Sequence, residues 1–221
     1  MPRYAPYFFA AFAILTIASF PALAEFTVEK TETPAPEGVS EAVAGALDDK
    51  MLKISKDGSL VYEIWLAKRF PVKNASASLN ALKTAGLIGV MKIHEEQRDF
   101  RDDVLPAGVY TLRFAEQPVD GDHLGTAPTE TFAILSKAGL DTDPAPLDSE
   151  RTLFELSMTD NPAAHPLNMS LQPVTEAGDT PRIDEKDDWP VLVVSQSAAT
   201  GDGSDAGELA FALVIEGHGE I

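Results

Sequence analysis

Hydrophobic and polar positions alternate along most of this chain, and the period of that alternation is the first signal it gives. "MLKIS" (51–55) and "SLVYEIWLAKRF" (59–70) flank Lys56-Asp57-Gly58, a hairpin signature between two period-2 segments. Leu60, Tyr62, Ile64 and Leu66 share one face of the second strand; Val61, Glu63 and Trp65 share the other. "GLIGVMKI" (86–93) reads as a buried strand in which Gly86 and Gly89 permit a bend. "VYTLRFAE" (109–116) sets Tyr110, Leu112 and Phe114 against Val109, Thr111 and Arg113. Further strands are expected at "EFTVEK" (25–30), "TFAILSK" (131–137) and "HPLNMSLQPV" (165–174), with "WPVLVVSQ" (189–196) and "ELAFALVIEG" (208–217) closing the chain as a pair.

Two stretches break the alternation. In "VSEAVAGALDD" (39–49), Val39, Val43 and Leu47 fall on one helical face. A second helix is expected within 140–161, capped by Asp148 or Ser149, with Leu153, Phe154 and Leu156 on its apolar side. The segments 72–85, 94–103 and 175–188 read as polar or charged connections. Eight or nine strands and two short helices, without βα alternation, predict a mainly β chain. The expected form is an antiparallel β-sandwich of immunoglobulin-like or jelly-roll-like kind, with Leu192, Val194, Phe211 and Leu213 joining Tyr110, Leu112 and Phe114 in its core.

Residues 1–24 form a separate object. Arg3, the apolar run "FFAAFAILTIASF" and the small residues of Ala22-Leu23-Ala24 make a secretory signal peptide with cleavage expected after Ala24. Residues 25–38 are then an N-terminal strand and Pro-rich connector, and 39–221 a single domain. The expected location is periplasmic or extracellular, with no transmembrane segment after cleavage. The whole chain carries a net charge of −18, and removing Arg3 with the leader makes it −19. Such a surface repels nucleic acid and anionic membranes. Cysteine is absent, and a chain of 221 residues buries enough apolar surface to do without disulfides.

Candidate chemistry concentrates in "QPVDGDHLGTAP" (117–128), a connection longer than an ordinary hairpin loop. Pro118 and Pro128 stiffen its ends, and Gly121 and Gly125 permit sharp turns. A self-satisfied structural loop accounts for these residues. Asp120, Asp122 and His123 equally offer mixed oxygen and nitrogen ligands to a divalent ion, completed from elsewhere by His165, Asp141 or Asp143. The acidic loop at Asp202, Asp205 and Glu208 lacks EF-hand spacing, and His94 has no second histidine at metalloprotease spacing. No G-x-S-x-G elbow or phosphate-cradling glycine loop is present.

The pattern "LPAG-Y-TLRF … QP-DGDH-G-AP … FAILS", with the later "DTDPAPLD" and "HP", resembles a family of secreted bacterial β-rich proteins of uncharacterised function. Locally, "LPAGVYTLRF…DGDHLG…TFAI" is similar to the last hairpin of periplasmic copper-resistance β-sandwich proteins. That second resemblance implies a copper site using Asp120 or Asp122 with His123, although this loop is one residue longer and the expected mature N-terminus is Glu25. The reading taken forward is an exported noncatalytic protein, with no cofactor expected, that binds a ligand or envelope partner through the 117–128 end. The alternative is a divalent-metal protein or metal-dependent enzyme using Asp120, Asp122 and His123, with His165.

Overall fold

The computed structural model describes residues 25–117, 129–161 and 165–217. In chain order the elements are β1 (Phe26–Glu32), α1 (Glu41–Ala46), β2 (Leu47–Lys56), β3 (Ser59–Ala67), β4 (Phe70–Val72), a 3-10 turn (Leu79–Ala81), β5 (Leu87–Ile93) and β6 (Gln97–Arg98). There follow β7 (Val104–Leu105), β8 (Gly108–Glu116), β9 (Thr131–Lys137), α2 (Glu150–Met158), β10 (Leu167–Pro173), β11 (Arg182–Lys186), β12 (Trp189–Thr200) and β13 (Asp205–Val214). The chain is mainly β with two short helices, as the alternation predicts.

One sheet of eleven strands carries the fold, in the order β1-β2-β3-β5-β8-β9-β10-β13-β12-β11, with β4 set parallel against β12. Neighbours along that order are antiparallel and follow the chain except where β13 enters between β10 and β12. The first seven strands of that order run up and down, whereas β10 to β13 form a Greek key: the chain leaves β10 for the far edge at β11 and returns through β12 to set β13 beside β10. The sheet curls until its halves face one another. Ile64, Ile88 and Leu112 meet Leu192, Phe211 and Leu213 across the interior, and Phe70 packs on Phe211 with ring centroids 5.3 Å apart. Tyr110, Leu112, Phe114, Leu192, Val194, Phe211 and Leu213 all lie in this core.

Local chemistry explains the tightest features. Asp57 and Gly58 both adopt positive φ (50° and 80°), the type I′ geometry that matches strand twist, and join β2 to β3. Gly89 sits where β5 meets β3 so closely that a Cβ would lie 2.5 Å from the Trp65 carbonyl oxygen. The ladder to β8 shifts register there, so the bend expected at this glycine is a bulge.

Three expectations change, and the structure adds what covers Trp65. The first helix ends at Ala46 rather than Asp49, because Leu47 already pairs with Ala67 of β3 and Gly45 weakens the helix interior. Trp65 is fully buried beneath α1, packed with Val43 and Leu47, and its indole donates to the Thr33 carbonyl at 2.8 Å. The segment 175–188 holds an edge strand, β11, whose Ile183 packs on the core while its neighbours stay polar. Finally, 94–103 contributes to a separate two-stranded ribbon, β6-β7, anchored by buried Phe100 against Phe132 and Trp189.

Two ends of the sheet follow from this register. The β2–β3 turn marks one end. At the other, β8 ends at Glu116 and β9 begins at Thr131, opposite each other in the ladder. The second is called the loop end below.

Candidate functional site

The long loop leaves the sheet at Gln117, whose amide donates to the Glu130 carbonyl at 2.7 Å, and re-enters through Thr129. Asp120, Asp122 and His123 lie outside the described residues. What is described is the ground they spring from. Glu116 pairs with Lys73 at 2.9 Å. The Glu116 amide also donates to the Glu150 carboxylate at 3.0 Å, which ties the first turn of α2 to the loop end.

Beside this point the outer face of β10 is polar and buried. The Thr129 and Ser170 hydroxyls are hydrogen-bonded at 2.7 Å, and Thr131 donates to the Leu171 carbonyl at 2.9 Å. Gln172 lies two residues beyond Ser170 on the same face, 1% exposed and opposite Ala212 of β13. Among the described residues neither Oε1 nor Nε2 of its carboxamide has a hydrogen-bond partner. A buried polar group left in that state costs about 1–3 kcal/mol. Sequence reading missed Gln172, because in the outward phase of a strand a glutamine looks like ordinary solvated surface.

His165 lies elsewhere. Leu171 pairs with Thr131 and Leu167 with Leu135, so position 165 falls near the far end of β9. Six residues of strand separate that level from Thr131, roughly 20 Å. There Nε2 faces the Asp103 carboxylate at 3.4 Å, while Nδ1 is 3.4 Å from Nη2 of Arg101. Arg101 also reaches Asp103 at 3.2 Å and Asp99 at 3.5 Å, and its guanidinium lies over the Phe100 ring. Nδ1 is also 3.2 Å from the Pro166 carbonyl: with the proton on Nε2 the ring donates to Asp103 and accepts from Arg101, and with a proton on Nδ1 it donates to Pro166. A guanidinium already occupies the position a divalent cation would need between these carboxylates.

The ribbon depends on Asp99, buried at the turn, whose Oδ1 accepts the Arg101 and Asp103 amides at 2.8 and 2.9 Å. Burial pushes its carboxyl above the ordinary 3.8, against the downward pull of those hydrogen bonds and of Arg101.

Of the other companions considered for a metal, Asp143 uses its carboxylate to accept the Ala145 amide at 2.8 Å, and Asp141 is committed to Arg113. This arginine is completely buried on the outer face of β8. Its Nε and Nη2 fork onto Asp141 at 2.6 and 2.8 Å. Nη1 donates to the Ala85 and Ala145 carbonyls, both at 2.8 Å, and Nη2 also to the Asp143 carbonyl. All five guanidinium hydrogens are used, and Thr111 adds a hydroxyl donor to Asp141. The pair fastens 138–147 to the sheet and is structural. His94 faces Glu63 at 2.8 Å beside Lys92, a row across β3 and β5 on the outer surface.

Among the described residues no group of three or more His, Asp or Glu side chains is placed to hold a metal ion, and no helix is long and apolar enough to cross a membrane. No protein-family model, curated protein or solved structure matches the chain.

Proposed function

We propose that this is an exported, noncatalytic binding protein that takes a polar ligand, or a polar segment of an envelope partner, at the loop end. The observation that carries the reading is Gln172: a buried carboxamide with two donors and an acceptor uncommitted among the described residues, next to where the 118–128 loop returns. A strand position with polar neighbours accepts Leu without such a penalty. Keeping glutamine there fits a group that completes its hydrogen bonds when a ligand arrives.

Export is supported by the leader pattern and by the residue that follows it. The Glu25 amide nitrogen lies 2.9 Å from the Asp57 carboxylate. Cleavage after Ala24 turns that nitrogen into an ammonium facing the same carboxylate, a stronger contact than the amide makes.

A thermal-shift screen of the mature protein against small polar compounds tests the binding reading, with Gln172→Leu in parallel. The expected result is a compound that raises the melting temperature of the wild type, leaves the variant unmoved, and is recovered chemically unchanged. Equal stabilisation of both proteins by every active compound sinks the assignment to this end.

A further inference from the structure

The two edges of the curled sheet, β1 and β11, come together without forming a backbone ladder. Where that seam opens at the loop end there is a cleft of about 30 Å³, lined by Lys30, Asp48, Lys50, Thr180, Pro181 and Gln196, among others. Its floor is apolar. Leu66 and Val194 also line a second cavity, of about 10 Å³, in the core beneath.

The lysines are out of keeping with the strand pattern. Phe26 and Val28 of β1 pack on the core, and Lys30 continues their phase, paired with buried Leu52. Lys50 occupies the next position in that row, opposite Glu32. Gln196 lies in phase with Leu192 and Val194 on the facing strand. Three polar residues thus stand at inward positions where the alternation asks for apolar ones.

Their connections leave both ammoniums without a contacting carboxylate among the described residues, although the Lys50 charge acts on Asp48. Gln196 donates both amide hydrogens, to Asp48 at 3.1 Å and to the Ala67 carbonyl at 3.0 Å. Asp48 also accepts the Lys50 amide at 3.0 Å. Burial pushes the Asp48 carboxyl up, but these hydrogen bonds, with the positive charge of Lys50, outweigh it and hold the group below its ordinary value. Neither the Lys30 nor the Lys50 ammonium has a hydrogen-bonded or ion-paired carboxylate among the described residues. Two ammoniums and one carboxylate leave the lining with a net charge of +1, in a chain whose net charge is −18.

We infer that this seam cleft binds the carboxylate of a small monoanion with a short aliphatic tail, the head group between Lys30 and Lys50 and the tail on Leu66 and Val194. A net charge of +1 is neutralised by one monoanion. Space for about two waters suits the two oxygens of one carboxylate. The carboxylate belongs either to a free short-chain acid or to the C-terminus of a peptide. The site shares an end with Gln172 but uses none of its contacts, so each stands or falls alone.

The test follows backbone and Gln196 side-chain amide signals of the mature protein by NMR during titration at constant ionic strength. The probes are butyrate, butyramide, and an acetylated Ala-Ala-Val peptide with a free or an amidated C-terminus. Saturable shifts at Leu66, Val194 and Gln196 are expected from butyrate or from the free-terminus peptide, which tells the two sources apart. None is expected from the neutral partners. Lys30→Gln and Lys50→Gln should each weaken binding at least about tenfold, whereas Lys83→Gln, on an exposed position elsewhere, leaves it unchanged. Both cleft lysines are exposed, so neither replacement removes core. Absence of saturable shifts with either carboxylate, or equal response to butyramide, overturns the inference. So does unaltered binding in Lys30→Gln accompanied by self-association, which assigns Lys30 to guarding an open sheet edge.

Discussion

Replacing Arg113 by Met leaves the Asp141 carboxylate buried without its charge partner and takes the guanidinium donor from the Ala145 and Asp143 carbonyls, while the Ala85 carbonyl keeps the Leu147 amide. Equilibrium urea unfolding should show a loss of about 3–5 kcal/mol, the usual result of removing one half of a buried pair. Adding Asp141→Leu should recover part of that loss, because the orphaned charge goes while the Ala145 and Asp143 carbonyls stay without the guanidinium. Asp99 makes a pH prediction. Its folded-state pKa is raised, so the folded chain holds this proton more tightly than the unfolded one. Stability from this group is present below the ordinary 3.8 and is lost as pH rises through the higher folded value. Asp99→Asn keeps an acceptor for both turn amides and has no proton to lose. The decline in unfolding free energy from acidic toward neutral pH should therefore be smaller in the variant than in the wild type. Neither residue was legible in the sequence. Arg113 alternates with core positions and reads as solvent-facing; its burial depends on 138–147 folding back over the sheet. Asp99 is one of several acids in a charged run, and only the ribbon's closure on Phe100 buries it.

At the scale of elements, apolar period and turn chemistry carried most of the reading. The β2–β3 hairpin, β8, β9 and the β12–β13 pair lie where the alternation places them, because each strand buries one face and a one-residue slip would expose it. α2 begins after Ser149, one of the two caps expected, whose hydroxyl accepts the Thr152 amide at 3.1 Å. α1 is capped in the same way by Ser40, which accepts the Val43 amide at 3.1 Å and also donates to the Thr142 carbonyl at 2.7 Å. Ser40→Ala should therefore lower stability by about 1–2 kcal/mol, at the upper part of the range for a lost cap. Ser149→Ala should lose less, and differential scanning calorimetry of the two variants orders them. β11, β6 and β7 escaped the pattern because each is too short or too charged for period 2 to show.

For the whole molecule, the loop end gathers the residues proposed to bind: Gln172 beside Thr129 and Ser170, and the lysine-rimmed cleft at the seam. Export makes a direct prediction. Expression of the full chain in a bacterial host should yield a periplasmic product beginning Glu25-Phe26-Thr27, read by N-terminal sequencing; a cytoplasmic chain retaining Met1 overturns it. The mature product should also lose stability when Asp57 becomes Asn, by more than the uncleaved chain does, because the terminal ammonium then faces no charge.

The sequence by itself determined the strand-rich class, the two helices, the main hairpins and the membership of the core. Those follow from local information: the side-chain period of a strand, the positive φ available to Asp57 and Gly58, the serine before a helix. Tertiary structure alone decided which polar residues are buried and which are left without partners. Whether Arg113 is satisfied, whether Gln172 is stranded, and whether Lys30 faces solvent or a cleft all depend on segments far away in the chain. A strand's period assigns a side chain to a face; it does not say what covers that face. The curl that brings β1 to β11 is set by accumulated sheet twist and by the packing of both halves on one core, so the seam and its cleft exist only in the folded molecule.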